Sequence, residues 1–331
     1  MTWHEIRTTE RGRRLLILFA AFFSVYIFWG STYLAIKYAI ETLPPFLMAG
    51  ARFAFAGSIL FLWARLSKDY EPPTRAHWRT SFIVGTLLLL GGNGGVVLAQ
   101  HYIPSSLAAL LVATEPLWIV ILGWAWLAQG RPNWKVALGL GLGFAGVWLL
   151  ISGRATGVDT GGTAQWIGII AVILGAFSWA AGSIYGLRGS APKSSILAAG
   201  MQMIAGSVSL LIVGFARGEW SAFDPAAVSF NSLFGLGYLI IFGSLVGFTA
   251  YSWLLKNARP SMVATYAYVN PVIAVLLGWL IAGESMTGQM LIGAGIVVGS
   301  VVLITSQNVK EPDGEAEGVH ESAVPSPRYS T

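Results

Sequence analysis

Two stretches decide the fold: Ser106 to Trp124, SLAALLVATEPLWIVILGW, and Ser261 to Trp279, SMVATYAYVNPVIAVLLGW. At an offset of 155 residues they share Ser106/Ser261, Ala109/Ala264, Pro116/Pro271, Val120/Val275, Leu122/Leu277, Gly123/Gly278 and Trp124/Trp279, and Gly92 matches Gly247 upstream. Each stretch is apolar and about 20 residues long, enough to cross a ~30 Å hydrocarbon core as a helix. Each also carries one polar side chain, Glu115 or Asn270, immediately before its proline. A slightly shorter offset pairs Gly30, Ser31 and Tyr33 with Gly182, Ser183 and Tyr185, and Ala49 and Gly50 with Ala199 and Gly200. Matched elements keep their order, so the chain reads as an internal duplication.

The whole chain has the same solvent preference. It is 55% hydrophobic and only 11% charged, with a mean hydropathy of +0.66, whereas soluble domains carry roughly 25% charged residues. A membrane β-barrel would alternate apolar and polar residues in segments of about ten; here the apolar runs are continuous. Ten runs stand out: Leu15 to Ile36, Phe46 to Leu66, Thr80 to Ala99, Ser106 to Ala128, Trp134 to Ser152, Gln165 to Tyr185, Ser195 to Gly214, Ser232 to Leu255, Met262 to Ala282 and Gly288 to Ser306. The Arg-rich start looks like a secretory signal, but its apolar stretch is too long, lacks a clear small-residue cleavage site and leads into further spans. It is read as the first helix.

The expected fold is therefore an all-α integral membrane protein of ten transmembrane helices in two repeats, residues 15–152 and 165–306, with a cytoplasmic segment 1–14 and a disordered cytoplasmic tail 307–331 rich in Glu, Pro and Ser. Five spans per repeat is an odd number, so the second repeat enters the membrane from the opposite face. Such inverted duplications place a solute site at the repeat interface near mid-membrane.

Charge sets the orientation. Of 20 Lys and Arg residues, 16 fall on one side, only Lys37, Arg154 and Arg217 on the other, and Arg52 lies within a span. The rich side is cytoplasmic, which puts both termini inside a cytoplasmic (inner) membrane. The basic residues are scattered between apolar runs, which is unlike a nucleic-acid-binding surface. The chain has no cysteine and four dispersed histidines, His4, His77, His101 and His320, so no metal site or cofactor is expected.

Phe28-Trp29-Gly30-Ser31-Thr32-Tyr33 with Lys37, Ala51-Arg52-Phe53, Glu115-Pro116-Leu117-Trp118 and the run from Tyr268 to Gly278 resemble the EamA family of the drug/metabolite transporter superfamily, over most of Tyr26 to Leu303. The resemblance implies two inverted five-helix repeats and export of amino acids or related metabolites. One departure is Gln129, where the family often has Glu; the second copy keeps Glu284.

Glu115 is the one acid in mid-span, where an ionisable group costs roughly 2.5 kcal/mol or more unless it is protonated or faces a polar cavity. Pro116 and Pro271 are expected to break their helices and to free the carbonyls of Val112 and Ala267. Glu115 and Asn270 then either bridge helices or meet solute, and Glu115 is the candidate for proton coupling. Tyr26, Trp29, Tyr33 and Lys37 recur at helical spacing, as do Ser178, Gly182 and Tyr185 in the second copy. In Gly91-Gly92-Asn93-Gly94-Gly95 the glycines permit close helix approach or bending and Asn93 faces inward; the run lies within an apolar span and cannot be a phosphate loop. The substrate-binding candidates are Trp29, Tyr33, Asn93, Glu115, Trp118, Ser178, Tyr185, Tyr251, Tyr266 and Asn270. Arg52 can snorkel outward along its stem, so it is read as a structural residue in preference to a contact with a substrate carboxylate, with Gln202 in its place in the second copy. His101 is read as an interfacial residue in preference to a proton carrier, and Gly139, Gly143, Gly146, Gly293, Gly295 and Gly299 as packing positions.

A weakly polar, aromatic interior with one acid and no central cation suits a small zwitterionic or amphipathic metabolite, an amino acid above all, better than a phosphorylated sugar. No Walker motif is present, so a proton or substrate gradient would supply the energy. Multidrug cation efflux is the rival within transport. An intramembrane enzyme is the distant alternative, for which no nucleophile and base pairing appears; the partners expected are a small solute, lipid and protons. Reporter fusions after Gln307 are expected to report a cytoplasmic C-terminus, and periplasmic reporter activity there would contradict the ten-span topology.

Overall fold

The computed structural model describes residues 3–68, 70–127, 134–151, 163–258, 260–263 and 265–307, and every regular element among them is helical. Eight helices are long and apolar enough to cross a membrane: α1 Gly12–Ala39, α2 Pro45–Arg65, α3 Arg75–Ala99, α4 Ser105–Trp126, α5 Trp134–Ile151, α6 Thr163–Arg188, α7 Ser195–Ala216 and α8 Phe230–Tyr251. Two shorter apolar helices follow, α9 Tyr266–Leu280 and α10 Gly288–Ile304. All ten overlap the apolar runs of the sequence. Gln129 and the tail beyond Gln307 lie outside the described residues.

Pairing of the helices follows the duplication. α2 packs on its counterpart α7, α5 on α10, and α4 on α9; α1 packs on α8 and α9, as α6 packs on α3 and α4. Exchanging the two halves therefore maps these pairings onto one another. At the α2/α7 crossing a Cβ on Gly57 would stand 3.0 Å from the Gly200 carbonyl oxygen, and one on Gly200 would stand 2.8 Å from the Phe61 nitrogen, so the backbones touch directly. In the α5/α10 crossing Gly139, Gly143 and Gly146 meet Ile304, Ser300 and Val297, while Gly293 meets Leu150. Gly295 and Gly299, expected in the same seam, instead have nothing within 4 Å of a Cβ and point away from it.

The prolines behave differently in the two halves. α4 is interrupted just before Glu115: Thr114 N–H and Oγ1 both bond back to the Leu111 carbonyl, at 3.1 and 2.7 Å. In the second half the matching turn lies at Thr265, whose N–H and Oγ1 bond to Met262 O at 3.2 and 2.5 Å. Pro271 comes six residues later, inside the continuous helix α9. The expectation that Pro271 breaks its helix is thus corrected. Losing one donor can bend a helix without ending it when neighbouring packing holds the turn, whereas threonine closes both breaks by satisfying a carbonyl locally.

Helix starts show a second asymmetry. The helices α3, α7 and α8 begin with their own caps: Thr74 accepts from His77 N, Ser194 from Leu197 N and Ser229 from Ser232 N. The starts of α2 and α4 receive distant carboxylates instead. Glu219 Oε2 accepts from Phe46 N and Leu47 N at 3.0 and 2.9 Å. Glu284 accepts from the backbone and hydroxyl groups of Ser105 and Ser106 and from Lys37 Nζ at 3.0 Å. Acids at helix N-termini also complement the helix dipole.

Burial by itself raises the pKa of Glu284, but the donors from Ser106, Ser105 and Lys37 outweigh it and hold the carboxyl down to about 2. A depressed pKa stabilises the fold above the unfolded value of about 4.3, and that contribution is lost as pH falls toward 2. Glu284→Gln is expected to lower stability in detergent at neutral pH by about 1.5–3 kcal/mol, the worth of charge-assisted bonds. The gap from wild type should narrow below pH 4; a gap constant across that range would contradict the assignment.

Candidate functional site

Between the halves lies a chamber of about 110 Å³. Helix α1 contributes Trp29, Thr32, Tyr33 and Ile36; α2 contributes Arg52; α3, Gly92, Asn93 and Val96; α4, Val112 and Glu115. The second half adds Gly175, Ala176 and Trp179 from α6, Gly243 and Phe248 from α8, and Tyr266 and Asn270 from α9. Trp29, Tyr33 and Ile36 share a face because helical residues four and seven apart point the same way.

Three wall segments are wound as π-helix: Val25–Trp29 in α1, Thr86–Asn93 in α3 and Leu239–Val246 in α8. A π turn shifts the i→i−4 ladder and leaves carbonyls to be satisfied by other groups. Two are taken in related ways: Ser178 Oγ on α6 donates to Leu87 O at 2.8 Å, and Trp29 Nε1 on α1 donates to Gly243 O at 3.1 Å. The widened turns bring Asn93 and Gly243 into the wall.

Polar groups facing the chamber are unevenly partnered. Among the described residues the buried Oδ1 atoms of Asn93 and Asn270 find no hydrogen-bond donor, a state that costs roughly 1–3 kcal/mol per group if nothing occupies the space beside it. Glu115 is buried, and among the described residues no Lys or Arg forms an ion pair with it. Its electrostatic neighbours are the rings of Tyr33, Tyr251 and Tyr266. The Trp29 ring lies edge-on to Phe248 and Tyr266 at 5.3 and 5.4 Å and tilted against Tyr251 at 5.1 Å, and the Tyr26 hydroxyl bonds Thr265 Oγ1 at the α9 break.

With this geometry in place, comparison with known proteins fixes the family. The EamA-like transporter family matches residues 15–152 and again residues 166–306. The chain belongs to that family. The two matches coincide with the two halves of the duplication. The inner membrane transporter YedA of Escherichia coli (strain K12), described as uncharacterized, is 39% identical over 297 residues, covering 89% of this chain and 92% of that protein. The uncharacterized transporter YvbV of Bacillus subtilis (strain 168) is 29% identical, covering 90% of this chain and 94% of its own. A crystal structure 20% identical in sequence shares the fold, with a TM-score of 0.58 over 91% of this chain and 100% of that chain. The apolar helices and the family together make this EamA-family chain a multi-pass membrane protein of the transporter class.

Of the residues singled out in the sequence, Trp29, Tyr33, Asn93, Glu115, Tyr266 and Asn270 come together on the chamber wall. Tyr251 stands behind them, edge-on to Tyr266 at 5.8 Å. Three others lie elsewhere. Trp118 packs between Phe144 and Phe177 at 5.6 and 5.5 Å, Ser178 is bound to the π carbonyl of Leu87, and Tyr185 is exposed on the outside of α6. Lys37, from the α1 stripe, is tied to Glu284. Arg52 does not snorkel: it is 3% exposed and lies in the wall, so the chamber does hold a cation. Thr32, Trp179 and Phe248 were also missed, because each is an ordinary residue of an apolar run until the helix faces are known.

Because the chain has no cysteine, single cysteines can map the chamber. Thr32→Cys and Val112→Cys are expected to react with small water-soluble thiol reagents, and Ala180→Cys, fully buried between α4 and α6, is not. Equal reactivity at all three positions would mean that the chamber is not the aqueous site.

Proposed function

We propose that the chain is a secondary transporter of the inner membrane that exports a small zwitterionic or amphipathic metabolite, an amino acid in the first place, by alternating access of its central chamber. The observation that carries this reading is Glu115: a buried carboxyl group with no cation partner among the described residues, set in an aromatic wall between two duplicated halves. Intramembrane acids that face a cavity mark solute or proton routes. Ten crossings in two inverted repeats, with both termini cytoplasmic, fit the mutually exchangeable packing, and rocking of one half against the other would open the chamber to alternate sides.

The wall suits the proposed solute. Trp29, Tyr33 and Tyr266 offer ring faces to an ammonium group or an apolar side chain, the Asn93 and Asn270 oxygens accept hydrogen bonds, and Glu115 supplies the countercharge. A lipophilic cation would use the same acid and rings, so multidrug efflux is the second reading; Arg52 on the wall opposes it by repelling a bare cation.

Glu115 exchanges the coupling proton in this scheme. Glu115→Gln keeps the side-chain shape and should retain downhill exchange in liposomes while losing accumulation driven by a pH gradient. Asn270→Ala perturbs the matching position without removing a titratable group and should keep pH-driven accumulation, at a reduced rate. Full pH-driven transport by the Glu115→Gln protein would rule out the proton role, and chemical conversion of the solute would point to an enzyme instead.

A further inference from the structure

Arg52 and Glu115 face one chamber without pairing with each other or with any other charged side chain among the described residues. A buried, unpaired guanidinium is expensive, and this one is held in a fixed pose. Its Nε donates to Ser244 Oγ at 2.9 Å, and its central carbon lies 4.6 Å from the Phe53 ring centre. Gly243 leaves room for the outer edge: a Cβ there would stand 3.0 Å from Nη2. The Nη nitrogens find no protein acceptor among the described residues. One edge of the planar fork is therefore anchored, and the other is directed at the chamber.

Charge at this place is not a requirement of the helix pair. The counterpart of Arg52 on α7 is the neutral Gln202, although α2 and α7 contact each other along their length. Nor does Arg52 reach the aqueous boundary, as a snorkelling residue would. What remains unexplained by packing is the free donor edge, whose geometry matches a carboxylate.

We propose that Arg52 is the carboxylate-recognising residue of the chamber, so that the transported solute carries a carboxylate bound by the Arg52 Nη edge and an ammonium group turned toward Glu115. The assignment rests on reading the chamber as the solute site. A zwitterion lying between Arg52 and Glu115 neutralises both unpaired charges at once, which neither a bare cation nor a neutral solute does.

Matched acids and amides test it. Wild-type protein in liposomes is assayed for flux of L-alanine, L-leucine and L-phenylalanine and of their carboxamides, which keep the ammonium and the side chain and lose only the negative charge. The KM for an acid is expected to lie about tenfold or more below that for its amide, the worth of one charge-assisted pair. In Arg52→Gln that ratio should collapse to within about threefold of unity, chiefly through a raised KM for the acid, and Arg52→Lys should restore part of it. If Arg52→Gln does not fold, Ser244→Ala takes its place: it releases Nε and should raise the KM for acids more than for amides. Amides and acids carried equally well by the wild type would overturn the Arg52 assignment and leave the transporter reading standing. Wild-type acid preference in Arg52→Lys and Ser244→Ala alike would do the same. Failure of the wild type to move any of the six probes would overturn both readings.

Discussion

The direct backbone contact of α2 with α7 at Gly57 and Gly200 sets the spacing on which the other helices depend. Lipid chains are as apolar as leucine, so helices in a membrane gain little from hiding apolar surface from each other. Close approach, with its dispersion contacts, has to supply the association. The glycine seam of α5 on α10 does the same elsewhere in the molecule. With these two contacts between counterpart helices in place, α1, α3, α4, α6, α8 and α9 enclose the chamber together with Arg52 of α2, and none of them needs to fill it.

That enclosure is compatible with hydrocarbon only because its irregular backbone is answered by side chains. Three π segments line or flank the chamber, and a membrane interior tolerates displaced carbonyls only where protein or a water-filled cavity meets them. Ser178 and Trp29 meet one each, across the pseudo-symmetric α6/α3 and α1/α8 contacts. The widened turns thus serve two ends. They aim Asn93 and Gly243 inward, and they tie the halves together through bonds that a regular helix could not offer.

The helices were legible because continuous apolar length is a strong signal, and the duplication because Pro116/Pro271 and Gly123-Trp124/Gly278-Trp279 survive in matched order. Glu115, Asn93 and Asn270 were legible as polar side chains in apolar runs, and the structure brings them to one chamber. Ser178 and Tyr185 enter by analogy between the repeats and Trp118 through the motif Glu115-Pro116-Leu117-Trp118; either route fixes a position along a helix but not the direction it faces. The outward snorkelling expected of Arg52 follows from its early place in a span and is overturned by its burial; its hydroxyl partner Ser244 lies 192 residues away and leaves no local pattern. The Thr265 break was hidden for a related reason, since proline looked like the stronger interrupter and a threonine back-bond has no obvious sequence mark.

The halves pack as equivalents but are not chemically equal. Arg52 and Glu115 both belong to the first half, and their counterparts Gln202 and Asn270 are neutral. Both carboxylates that cap distant helices, Glu219 and Glu284, belong to the second half and hold helices of the first. A carrier of two identical halves would bind its solute in two equivalent poses related by the two-fold axis. Unequal charge removes that degeneracy: in the proposed scheme a zwitterion would be held by α2 and α4 of one half and only hydrogen-bonded by α9 of the other. If the halves rock as proposed, the charged contacts would travel with the first half, and the neutral face would be the one whose contacts with the solute are made and released.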